Sequence, residues 1–136
     1  VRSPDTVGER VEVIRRRDAF EHNTSAFMRK WNGQNTRIRK AIIAAREALT
    51  HTAMPDEVLE DCARLSLALG ADGLRGELTL LKSARALAAY EKSQTVTRKH
   101  LRRVAPLALS HRLRRDPLDE AGSSTRVDRT VAETLG

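Results

Sequence analysis

Cysteine is almost missing from this chain. Cys62 stands alone, so no internal disulfide can form, and an intracellular context is expected. Cys62 recurs with Val58, Leu65 and Leu69 at helical spacing, which predicts a buried small hydrophobe rather than a nucleophile. Aromatic residues are equally scarce: Phe20, Phe27, Trp31 and Tyr90 are the whole set, and none interleaves with the basic clusters. That argues against a protein that holds single-stranded nucleic acid by stacking its bases. No apolar run approaches the ~20 residues that span a bilayer. The start, at Val1, lacks a charged-then-apolar leader and an initiator methionine, so a piece of a longer protein is expected.

The familiar catalytic signatures are absent too. There is no GxxxxGK[ST] phosphate loop, no GxGxxG and no HExxH. His22, His51, His100 and His111 are scattered without metal-ligand spacing, and no metal site is expected. Carboxylate pairs such as Asp56 with Glu60, or Glu60 with Asp61, read as a solvated helix face. On its own the chain is expected to catalyse nothing.

What is present is charge and helical periodicity. The net charge of +7 points to an anionic partner, whether nucleic acid, nucleotide, anionic lipid or an acidic protein surface. After a linker over residues 1–6, Thr6 and Glu9 fit a capping box ahead of a helix with Val11 and Ile14 on one face. Asn23 or Thr24 caps a short helix with Phe27 and Trp31, and Asn32-Gly33 reads as a break. Ile38, Ile42, Ala45 and Leu49 mark the next helix. Pro55 opens another at its first helical position, with Gly70 closing it. Leu74, Leu78, Leu80, Leu81, Ala84, Leu87 and Ala88 cover so much of the following helix that it should be the central, most buried one. Thr97 caps a helix that Pro106 should kink, Asp116-Pro117 starts a short turn, and Val127, Val131 and Leu135 stripe a last helix. No strand pattern of useful length exists, so the expected fold is an all-α bundle, one domain over 7–136.

Two cationic features stand out. Arg75 falls in the first turn of the helix opened by Asp72, where the positive end of the dipole disfavours a cation by roughly 0.3–1 kcal/mol and welcomes an anion. Either a local ion pair with Asp72 or Glu77 explains it, or an external anion does. The tract from Arg98 to Arg115 has no acidic residue. Lys99 and Arg102 read as a solvated face, whereas Arg112, Arg114 and Arg115 suit bidentate contacts across an interface. Arg15, Arg16 and Arg17 form either a second such surface or the favourable cations of a helix C-terminus.

The stretch Gly73-Leu74-Arg75-Gly76-Glu77-Leu78, then Leu81-Lys82-Ser83-Ala84-Arg85-Ala86-Leu87-Ala88, Val96-Thr97 and Val104 through Leu118 with its Ser110-His111-Arg112-Leu113-Arg114-Arg115-Asp116-Pro117 core, closely resembles the C-terminal helical lid of magnesium chelatase AAA+ subunits. The opening Val11 to Glu21 and the ending Val131 to Gly136 resemble the ATPase (I) subunit in particular. The resemblance implies an AAA+ lid in which Arg75 is the sensor-2 arginine reaching the γ-phosphate of Mg-ATP, flanked by Gly73 and Gly76. It implies that the phosphate loop and arginine finger lie upstream of this chain. It further implies a ring of I subunits working with D and H subunits to insert magnesium into protoporphyrin IX, in a bacterial cytoplasm or plastid stroma, with neither membrane nor nucleic acid as partner. A MoxR-type remodelling ATPase lid is the alternative within the fold, and a basic nucleic-acid-binding module the alternative outside it.

Overall fold

The computed structural model describes residues 4–70, 74–110 and 123–136, with side chains in the last segment from residue 125. The fold is all-α. Its helices are α1 (Val7–His22), α2 (Thr24–Ala48), α3 (Asp56–Leu69), α4 (Arg75–Tyr90), α5 (Arg98–Leu109) and α6 (Ser123–Leu135), with a 3₁₀ turn at Leu49–His51. The chain divides into two compact units, residues 1–41 and 42–136, whose boundary falls within α2.

In the first unit the cap at Thr6 forms as expected, its hydroxyl oxygen accepting the Glu9 N–H at 3.3 Å while the hydroxyl itself donates to the Glu9 carboxylate. Asn23 ends α1 and starts α2, its Oδ1 accepting the Ala26 N–H at 2.9 Å. The break read at Asn32-Gly33 does not occur, and α2 runs straight through it. An Asn-Gly pair turns a chain where two strands need joining. Here helix formers flank it on both sides, and a mid-helix glycine costs only about 1 kcal/mol. The apolar stripes read on α1 and α2 are not buried: Val11, Ile14, Ile38 and Ile42 are all exposed. Phe20, Phe27 and Trp31 instead form a short aromatic run, with centroids 5.6 and 5.9 Å apart.

The second unit holds the core. Val58, Cys62, Leu65 and Leu69 of α3 meet Leu80, Ala84 and Ala88 of α4, Leu101, Val104, Ala105, Ala108 and Leu109 of α5, and Val127, Val131 and Leu135 of α6. Small residues on the buried face of α4 let α5 lie close against it, the most extensive helix pairing among the described residues. The expectation that α4 is the most enclosed helix is corrected: its N-terminal Leu74 and Leu78 are exposed, and α3 and α5 bury as much of themselves. Pro55 occupies the N-cap of α3 rather than its first turn. Gly70 closes α3 at φ 62°, the left-handed geometry glycine adopts without a Cβ penalty. Thr97 caps α5 reciprocally, with the His100 side chain supplying the return contact, and the helix continues past Pro106 to Leu109. A parallel bridge, Ala53 to Thr95, ties the segment before α3 to the loop before α5. The turn expected at Asp116-Pro117 lies outside the described residues.

Candidate functional site: an arginine at a helix start

Arg75 is the first residue of α4 and its side chain is exposed. Glu77, one of the two carboxylates that could have neutralised it locally, makes no ion pair with it; Asp72 and Gly73 lie outside the described residues. Among the described residues Arg75 has no ion-pair partner at all. Its carbonyl accepts the Thr79 hydroxyl at 2.7 Å, which fastens the first turn without engaging the guanidinium. Gly76 is buried beside it, so the turn presents a cation outward while its backbone lies against the protein. Leu74, at the cap position, contributes no side-chain acceptor to this turn. A guanidinium and a helix N-terminus together form a binding place for an anion that can accept from both.

The other cations behave differently. Arg16 and Arg17 pair with carboxylates on their own helix, Glu12 at 2.7 Å and Glu21 at 2.6 Å, and Arg15 approaches Glu12 at 3.5 Å. The Arg16 guanidinium also lies 4.7 Å over the Trp31 ring. Its hydrogen bond holds the Glu12 carboxyl below the usual carboxylate range. Arg112, Arg114 and Arg115 lie outside the described residues.

Three polar residues acquire roles that the sequence concealed. Asp61, read as part of a solvated face, is 2 % exposed. It accepts two bonds from Arg98, from Nε at 2.7 Å and Nη2 at 3.1 Å, and a third at 3.3 Å from Arg64. This fork joins α3 to the start of α5, and Asp61 in turn pushes the Arg98 pKa above its ordinary value. Arg102, also read as solvated, donates to the Leu135 carbonyl at 2.5 Å and so closes the end of α6. His100 is buried, its Nδ1 accepting the Thr97 N–H at 2.9 Å and its Nε2 3.4 Å from Glu91, which also pairs with Arg103. Only the helical phase of Asp61, shared with the core residues Val58 and Leu65, hinted at its burial.

Residues 59–133, which contain Arg75 and most of the core of the second unit, match the AAA lid domain model. The chain belongs to the AAA lid domain family. The chain is 60% identical over 135 residues to the magnesium-chelatase 38 kDa subunit of Cereibacter sphaeroides, covering 99% of its own length and 40% of that protein. It is likewise 60% identical to the magnesium-chelatase 38 kDa subunit of Rhodobacter capsulatus, over 99% of this chain and 39% of that protein. A more distant relative, the magnesium-chelatase subunit ChlI of Anabaena variabilis, is 34% identical over 93% of this chain and 38% of its own length. The chain thus spans about two fifths of the length of the curated relatives it matches. The resemblance to a magnesium chelatase lid drawn from the sequence is borne out. Among the described residues no helix is long and apolar enough to cross a membrane.

Proposed function

We propose that this lid serves the ATPase subunit of a magnesium chelatase, with Arg75 as the sensor-2 arginine that contacts the γ-phosphate of ATP. The observation that carries the proposal is the exposed Arg75 at the start of α4, without an ion-pair partner among the described residues. ATP with its magnesium ion, held on a nucleotide-binding core outside this chain, supplies the phosphoryl group whose charge the arginine meets. Arg75 then acts by position. The Thr79 bond to its carbonyl fixes the turn, the small buried Gly76 lets that turn sit close to the protein, and the helix dipole adds to the guanidinium's field. A preorganised cation aimed at developing negative charge stabilises phosphoryl transfer without reorganising at the moment of reaction.

In this reading the lid couples nucleotide state to a ring of like subunits, and with the D and H subunits to insertion of magnesium into protoporphyrin IX, the metal being cargo rather than a resident cofactor. Arg112, Arg114 and Arg115, with Arg15, Arg16 and Arg17, are its subunit-contact residues, and the site of action is the bacterial cytoplasm or the plastid stroma. Arg75→Ala in the full-length subunit is expected to lower the ATP hydrolysis rate about a hundredfold or more while the far-UV circular dichroism of the lid stays unchanged. Hydrolysis at the parental rate would remove Arg75 from the mechanism.

A further inference from the structure

The first unit carries a cleft of about 260 Å³ between α1 and the start of α2. Ala19, Ala26, Phe27 and Trp31 line it with apolar surface, and its charged lining is three cations, Arg15, Arg16 and Lys30, against one carboxylate, Glu12. Arg15 is held only by its 3.5 Å approach to Glu12, and no described carboxylate lies within ion-pair distance of Lys30. The Trp31 Nε1–H is shut off from solvent and has no acceptor among the described residues, and the Lys30 ammonium lies 5.9 Å from the centre of the Trp31 ring.

The same chain carries the complement. The first two turns of α3, Asp56-Glu57-Val58-Leu59-Glu60-Asp61, hold four acidic residues and no basic one. Asp56, Glu57 and Glu60 are exposed, Glu60 sharing its charge with Arg64 at 3.0 Å, and Leu59 stands beside them, 40 % exposed. An apolar anchor ringed by acids fits an apolar cleft rimmed by cations, the arrangement in which a central buried side chain supplies affinity and the charged margin supplies register.

We infer that the α1–α2 cleft of one copy receives the acidic start of α3 from a second copy, Leu59 seating on Phe27 and Trp31 while Asp56 and Glu60 meet Arg15 and Lys30. Cleft and anchor are different patches, so the contact is heterologous, and a joined pair still offers one free cleft and one free anchor. The inference deepens the ring reading above by naming both sides of a subunit contact, and it rests on that reading only for its purpose.

Sedimentation velocity of this chain over a rising concentration series at physiological ionic strength tests it. The parental chain is expected to show a mass growing with concentration above 15.2 kDa. Arg15→Glu with Lys30→Glu, or Asp56→Lys with Glu60→Lys, should weaken association about tenfold or more. All four substitutions in one chain should restore it, because the charges are again opposed. Circular dichroism confirms that each variant folds, since every substituted side chain is exposed. A parental chain that stays monomeric throughout, as it would if the cleft served an acidic segment of another protein, overturns the inference. Association unchanged by either one-sided reversal does so as well, as does failure of the fourfold variant to recover. None of these outcomes bears on Arg75, whose role is read from hydrolysis in the full-length subunit.

Discussion

Cys62 shows how its surroundings decide what a reactive group can do. It is 1 % exposed between α3 and α4, its Sγ 3.7 Å from the Glu77 carbonyl. Burial first, and the charge of Glu77 second, push the thiol up to about 11 from an ordinary value of 9.0. Near pH 8 the reactive thiolate is therefore about a hundredfold scarcer than in a free thiol. Alkylation by iodoacetamide should be negligible on the folded chain and become prompt in urea; equal rates in the two states would contradict the burial. The sign for stability follows. The folded state favours the neutral thiol, so its contribution is complete below pH 9 and is lost as pH rises through 11, and the melting temperature should fall across that window.

At the scale of elements, the legible helices were those whose stripe faces the core or whose ends carry unambiguous caps. The stripe of Val58, Cys62, Leu65 and Leu69, the left-handed stop at Gly70, the cap at Thr97 and the face of Val127, Val131 and Leu135 all stand as the sequence predicts. Asn32-Gly33 misled because turn propensity is a local preference that a long run of helix formers outweighs. The stripe of α2 misled for a different reason: periodicity reports that a face is apolar, not that this chain covers it. A Cβ at Gly33 meets nothing within 4 Å. Gly33→Ala should therefore stabilise α2 by up to about 1 kcal/mol, seen as a later loss of helical ellipticity on heating. An earlier loss would show that the glycine is needed where it stands.

For the molecule as a whole, burial is distributed unevenly. Neither α1 nor α2 has a fully buried residue, whereas the second unit has an apolar core contributed by four helices. Helices without tertiary cover lack the packing that supplies most helical stability in proteins. Limited digestion with a non-specific protease should cut residues 1–41 first and leave a core fragment from the second unit; uniform resistance would mean that both units share one stability. The candidate site was only half legible at this scale. Arg75 declared itself through its place on a helix dipole, but Asp61 could not, because its partner Arg98 is 37 residues away in the chain. That separation also has a consequence in time. A fork between residues so far apart closes a long loop and belongs to the later stages of folding, after α3 and α5 have each formed. Asp61→Ala should accordingly leave the refolding rate nearly unchanged in stopped-flow measurements and accelerate unfolding. The Asp61–Arg98 fork thus acts as the latch on the folded lid, setting how long it stays closed rather than how fast it is made.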